Sequence, residues 1–208
     1  MSYKSQRGDA QIASGAIRVT QVLDYFKEPW YTDWLCRVGK REANRVSKAA
    51  MKTGTSVDTL IKASPMELNE FLPEYKKASI ESINCLTAYY KWLAIYKPNL
   101  VTPCTRLNAV IENQEVTGEP DIMVDDALVD IKCSSKISLK HWIQVNMYNY
   151  LLNPEKVIKV GILRLDKVTA SYEYIVKNYD PSLVNVWCGM MVAYVAFNKG
   201  GDYGDVNV

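Results

Sequence analysis

Asp121, Asp130 and Lys132 flank a candidate tight turn in the segment Thr117-Gly118-Glu119-Pro120-Asp121-Ile122-Met123-Val124-Asp125-Asp126-Ala127-Leu128-Val129-Asp130-Ile131-Lys132. Asp125-Asp126 reads as the turn, because aspartate favours such positions and short apolar strands run on both sides. A symmetric turn pairs Val124 with Ala127 and Asp121 with Asp130. Side chains alternate along a strand. One face then carries Ile122, Val124, Ala127, Val129 and Ile131, and the other carries Asp121, Met123, Leu128, Asp130 and Lys132. Directly opposed β-carbons lie about 4.5–5.5 Å apart. Two like charges at ~5 Å repel by roughly 3 kcal/mol in an effective dielectric of ~20. A divalent cation reverses that penalty by binding both oxygens. Facing carboxylates with a lysine two residues on could therefore seat a divalent cation. The alternative is a solvated hairpin whose wet face is acidic, since aspartate is common near turns.

The elements around this hairpin follow from apolar spacing. Val19, Val22, Leu23 and Phe26 give one face of a helix over 19–26. Pro29 opens a second helix at its permitted first turn, with Trp30, Trp34, Leu35 and Val38 as its stripe. A third helix is expected over about Gly54–Ala63 and a fourth over about Glu74–Tyr96, ended by Lys97-Pro98-Asn99. Strands are expected near Cys104–Ile111, Asp121–Val124, Ala127–Lys132, Val157–Leu165 and Ala170–Val176. A helix over about Ser138–Leu152 interrupts them. It carries Gln144 and Tyr148 four apart on one face, with Leu139, Trp142, Ile143, Met147, Tyr150 and Leu151 as a buried stripe on the other. A last apolar helix, about Pro181–Phe197, precedes a Gly-rich tail. The expected fold is α/β (α+β), a central mixed sheet flanked by helices. One domain over 1–208 is expected: a loose arm to about Ala16, a helical half over 17–97 and a sheet-containing half over 98–208.

Bulk composition agrees with a globular chain. Of the 208 residues, 48% are hydrophobic and 23% charged, so a sizeable core is available and wholesale disorder is excluded. The net charge of +2 neither announces nor excludes nucleic acid, because a local basic groove can sit inside a near-neutral total. Cys36, Cys85, Cys104, Cys133 and Cys188 are odd in number and lack C-x-x-C spacing, so they read as free thiols of a reducing compartment. The start of the chain lacks an apolar signal core, and no stretch of about 18 apolar residues occurs. A cytoplasmic protein is expected, nuclear or in the host cytoplasm if its source is eukaryotic or viral.

The pattern G-E-P-D…D-I-K resembles the PD-(D/E)XK nuclease superfamily, in particular its RecB-like branch. Gln144-x-x-x-Tyr148 on the next helix strengthens the resemblance. So do Val19-Thr20-Gln21-Val22-Leu23, the Trp30/Trp34 helix with Val38-Gly39, and Gly54-Thr55-Ser56-Val57-Asp58. The resemblance spans roughly 19–152 and implies a restriction-endonuclease-like core. It implies that Asp121 and Asp130, with the main-chain carbonyl of Ile131, hold one or two Mg²⁺ or Mn²⁺ ions. Lys132 would contact the attacking water or scissile phosphate, and Gln144 and Tyr148 would line the DNA groove. Asp58 stands where the family has a histidine ligand. Aspartate suits a hard ion, and the other reading is an acid in a first helical turn, where the dipole favours it. Gly54 would let that helix approach the sheet closely. The family often places a further acid on the strand before the hairpin. Here only Glu112 and Glu115 are near, both expected at the turn, and neither is carried over. With only Cys188 late in the chain, no iron–sulfur cluster is expected.

Lys136 and Lys140 read either as contacts to neighbouring phosphates or as solvated lysines. His141, the only histidine, reads as a surface helix residue, and a Ser-His-Asp or histidine-metal hydrolase is hard to build from it. No G-x-x-x-x-G-K-[ST] occurs, so any helicase or recombination partner would be a separate protein. The resemblance implies a metal-dependent DNA nuclease, foremost an exonuclease of DNA repair, recombination or viral genome processing. The alternative is a catalytically inactive, nuclease-fold subunit for DNA binding or assembly.

Overall fold

The computed structural model describes residues 15–62, 75–152 and 159–199. The elements are β1 (Ile17–Arg18), α1 (Val19–Tyr25), α2 (Pro29–Val38), α3 (Lys40–Lys62), α4 (Ile80–Tyr96), β2 (Val101–Pro103), β3 (Leu107–Ile111), β4 (Gln114–Gly118), β5 (Ile122–Val124), β6 (Ala127–Lys132), α5 (Leu139–Leu152), β7 (Lys159–Leu165), β8 (Tyr172–Asn178) and α6 (Pro181–Lys199). The fold is α+β, with mixed sheets and flanking helices. The expected N-terminal arm to residue 14 and the Gly-rich tail lie outside the described residues, as do Ala63, Glu74 and Val157. Among the described residues no helix is long and apolar enough to cross a membrane.

The strands form two sheets where one was expected. The larger has the order β2-β5-β6-β7-β8, and the smaller β1-β4-β3. In the larger sheet β6 and β7 run parallel, joined by the α5 crossover, and the other neighbours are antiparallel. β4 was not foreseen. Glu112 and Asn113 make the turn before it with positive φ, and Glu115 sits inside β4 opposite Val110 instead of at the turn.

The β5–β6 hairpin has the expected register, with Val124 opposite Ala127 and Ile122 opposite Val129. Asp125 adopts φ 52°, a conformation aspartate tolerates, and its Oδ1 accepts from the amides of Asn99 (2.9 Å) and Leu100 (3.0 Å). The turn is thereby tied to the start of the sheet. Neither face of the hairpin is wet. Ile122, Val124, Ala127 and Val129 pack with Val57 of α3 and with Cys85, Ala88, Tyr89 and Trp92 of α4. On the other face Leu128 is fully buried with Ile143, Met147 and Tyr148 of α5, Trp187 of α6 and the α1 residues Val19 and Val22.

Helix ends show local causes. Ser79 caps α4 by accepting from the Ser82 amide (3.2 Å), so this helix starts at Ile80 instead of continuing from about residue 74. Lys97, in the left-handed region before Pro98, ends it. α3 begins at Lys40, fourteen residues before the expected start at Gly54. Residues 40–53 are good helix formers without an apolar stripe, so periodicity does not reveal them. Gly54 lies mid-helix with open space beside it and makes no close approach to the sheet. The expected stripe of α2 is also not a core face, since none of its residues is buried.

Candidate active site

The site is assembled where β5, β6 and α5 meet. Asp121 immediately precedes β5, and its Oδ2 accepts from the Ile131 amide at 2.6 Å. Asp130, on β6, is only 2% exposed. Its Oδ2 lies 2.6 Å from Lys132 Nζ, and its Oδ1 accepts from Gln144 Nε2 at 3.2 Å. The same Gln144 nitrogen donates to the Tyr148 hydroxyl at 2.9 Å. The structure therefore joins four predicted residues, Asp130, Lys132, Gln144 and Tyr148, in one chain of polar contacts, and sets Asp121 beside it, tied to the Ile131 amide and close enough to feel the Asp130 and Lys132 charges.

Electrostatics assigns each group a protonation state. Burial, reinforced by the neighbouring Asp130 charge, pushes the Asp121 carboxyl up to about 7. Lys132 and the Ile131 amide pull it partly back, and the Asp58 charge adds to the rise. Burial works against the Lys132 ammonium, but the Asp130 and Asp121 carboxylates outweigh it and raise its pKa above the usual lysine value. Lys132 is thus a cation at neutral pH and cannot serve as a base. Burial raises the Tyr148 phenol, which stays a neutral hydroxyl. Burial and the Lys132 charge push His141 down to about 4. Its Nδ1 accepts from the Ser138 amide (3.2 Å) at the start of α5, so it is a half-buried structural acceptor and not a surface residue.

Asp58 is placed differently from the hairpin acids. It is close enough for its charge to raise Asp121, but its Oδ1 is held by Lys62 Nζ at 2.9 Å. Lys62 also lies 3.7 Å from Glu119, which pairs with Arg106 at 3.0 Å. Among the described residues no group of three or more His, Cys, Asp or Glu is gathered tightly enough to hold a metal. The two hairpin acids themselves fit a hard divalent cation. A buried carboxylate, Asp130, and a half-buried one, Asp121, share one ammonium, and Asp130 Oδ2 is buried with an ion-pair contact but no hydrogen-bond donor in line.

The two downstream lysines differ. Lys140 Nζ donates to the main-chain carbonyls of Leu23 (2.8 Å) and Phe26, so it fastens the end of α1 and is engaged there instead of facing a phosphate. Lys136 is exposed, with Nζ 5.3 Å from the Trp30 ring centroid. The expected one-sided stripe of α5 is also corrected. Leu139 is 61% exposed, while Gln144 and Tyr148 are buried together with Val145, Asn146 and Asn149.

Gly118 is a site residue that sequence reading missed. A β-carbon there would lie 2.6 Å from Tyr148 Cε1 and 2.7 Å from Cδ1. The glycine of G-E-P-D therefore makes room for the tyrosine ring, a close approach that its place in the motif could have signalled. Gly118→Ala should displace Tyr148, loosen the Gln144 bridge to Asp130 and lower turnover by roughly tenfold, with a lower melting temperature. Adding Tyr148→Phe should cost little more, because the hydroxyl contact is already lost. Full additivity of the two changes in a double-mutant cycle would refute the coupling.

No protein-family model matches the chain, and no curated protein matches it in sequence. Solved structures do. A candidate exonuclease from Eubacterium rectale is 15% identical, with a TM-score of 0.56 over 96% of this chain and 85% of that one. An alkaline exonuclease from Laribacter hongkongensis, in complex with dAMP, is 15% identical with a TM-score of 0.49, and 89% of each chain is covered. The chain shares its fold with the Eubacterium rectale protein.

Proposed function

We propose that the chain is a metal-dependent deoxyribonuclease, foremost an exonuclease, that hydrolyses phosphodiester bonds in DNA repair, recombination or viral genome processing. The observation that carries this reading is the Asp121/Asp130 pair, one half-buried and one buried, with Lys132 held as an ammonium against Asp130. The shared fold with a candidate exonuclease supports it. Asp121, Asp130 and the Ile131 carbonyl would hold one or two Mg²⁺ or Mn²⁺ ions, with Asp58 joining once it exchanges Lys62 for the ion. Such an ion supplies a water of lowered pKa and neutralises charge on the scissile phosphate. Lys132 orients the attacking water and offers positive charge where the transition state gathers negative charge. Gln144 fixes the rotamer of Asp130, and Tyr148 braces Gln144 from inside; both are buried, so the strand contact that the resemblance implies for them is replaced by this supporting role. Lys136 takes a neighbouring phosphate.

The test is a gel with end-labelled linear DNA and circular DNA, with Mg²⁺, with Mn²⁺ and with excess EDTA. Linear DNA should be degraded in both metals, circular DNA spared, and all cutting stopped by EDTA. Undiminished cutting in EDTA refutes the metal, and equal cutting of circles refutes an exonuclease. Failure to cut either DNA leaves the inactive binding subunit. Asp58→Asn in the same assay should lower activity and shrink the thermal stabilisation given by Mn²⁺. An unchanged Mn²⁺ shift removes Asp58 from the ligand set.

A further inference from the structure

The active site does not use the aromatic side chains of α2. Trp30 is 47% exposed, on a helix with no buried residue. Its ring centroid lies 6.1 Å from that of Tyr31, which lies 5.6 Å from that of Trp34. Three rings thus form a continuous array, with Trp30 exposed at one end and Tyr31 and Trp34 half-buried. Single exposed apolar residues are ordinary, but a contiguous aromatic group outside the core marks a contact surface. Cations accompany the array: Lys136 Nζ stands 5.3 Å from the Trp30 ring and Lys27 Nζ 5.3 Å from the Tyr31 ring.

The array is fastened to the active-site edge. Lys136 follows Lys132 by four residues, and Lys140 clamps the α1 end through the Leu23 and Phe26 carbonyls. Glu28, which precedes α2, is close enough for its charge to act on His141, and His141 is close enough to feel Lys132. Charge continues outward along α3. Residues 27–52 hold seven cations against three acids, in a chain whose total is +2. Arg41, Arg45, Lys48 and Lys52 recur at helical spacing on the exposed side of α3, opposite the buried Ala43, Val57 and Leu60.

We propose that Trp30, Tyr31 and Trp34, with Lys27 and Lys136, form a stacking platform for unpaired bases of a DNA strand beside the active site. An aromatic face flanked by ammonium groups matches a single strand, which offers bare base faces and a phosphate at each step. Inside a duplex the base faces are already stacked and closed to the rings, so the platform selects a frayed end or a single strand. The basic side of α3 takes the phosphates farther along. That the polymer is DNA rests on the nuclease reading.

The experiment measures binding in EDTA, where no cutting occurs. The probes are a fluorescein-labelled oligothymidylate of about 12 nucleotides and a blunt hairpin duplex of equal length, against wild type, Trp30→Ala and Trp30→Phe. Trp30→Ala should weaken oligothymidylate binding at least ~5-fold, the smaller end of a lost base–aromatic stack, and change duplex binding less than about 2-fold. Trp30→Phe should recover most of the loss. Circular dichroism and melting should match wild type, since Trp30 lies outside the core. Unchanged oligothymidylate binding in Trp30→Ala, or equal weakening on the duplex, overturns the platform, including the case in which α2 serves a protein partner. The two readings fail separately. A wild type that cuts DNA while Trp30 is irrelevant to single-strand binding loses only the platform. A wild type that binds oligothymidylate through Trp30 yet cuts nothing with either metal loses only the nuclease.

Discussion

Alanine at Lys132 should lower turnover by roughly 10²- to 10³-fold, the range for losing one preorganised transition-state donor, while affinity for uncut DNA stays within about threefold. Lys132 Nζ lies 2.6 Å from Asp130 and 21% of the side chain is exposed, so the ammonium is both fixed and reachable. Its raised pKa keeps it charged throughout the neutral range. The expectation is that charge, and not merely a hydrogen bond, is what Lys132 supplies. Lys132→Gln, which keeps length and a donor, should fall nearly as far as Lys132→Ala. Lys132→Arg should recover little, because a planar fork cannot replace a compact point charge against Asp130. Removing one partner of a buried pair leaves the other uncompensated, so melting curves in Mn²⁺ must accompany the kinetics to show that the variants are folded. Near wild-type turnover in Lys132→Gln would show that charge is not what Lys132 supplies.

Asparagine at Asp121 should cut activity by at least ~10²-fold yet stabilise the metal-free protein at pH 8. The variant retains an oxygen for the Ile131 amide and removes a partly desolvated charge beside Asp130. The sign follows from the raised pKa. With a native value of about 7 against roughly 3.9 unfolded, the native state binds the extra proton between those limits. The wild type's share of stability from this group is whole below about pH 4 and is lost as pH rises through 7. The advantage of Asp121→Asn should therefore be largest at pH 8 and fade towards pH 5. His141, with a native pKa of about 4, has the opposite slope over an overlapping range, but both proteins share it, so their difference isolates Asp121. Mn²⁺ should reverse the order, stabilising wild type alone. A melting difference that does not vary with pH would show that Asp121 carries no perturbed proton.

Much of the hairpin was legible because its information is local. A two-residue turn sets the register, and the register sets which side chains stand opposite. Gln144 and Tyr148 were legible for the same reason, being one helical turn apart. What escaped depends on distant partners. That the hairpin's polar-looking face is dry follows only from α1, α5 and α6 arriving to cover Leu128. Lys140 read either as a phosphate contact or as a solvated lysine, and neither reading foresaw the α1 carbonyls that hold it; Gly118 carried no role in the sequence, because its need for a missing side chain comes from the Tyr148 ring. The early start of α3 was hidden because periodicity reports burial, and most of that helix is not buried.

The near-complete burial of α5 has a kinetic consequence. Residues 143–149 are all buried, packed between the large sheet on one side and the small sheet with α1 and α6 on the other. Such a segment has no route to local fraying, and its amides exchange with solvent only when the whole structure opens. The amides of Gln144 and Tyr148 are therefore expected among the slowest-exchanging of the described residues, and those of α2, a helix with no buried residue, among the faster ones. The geometry around Asp130 thus rests on the part of the described structure that local opening reaches last.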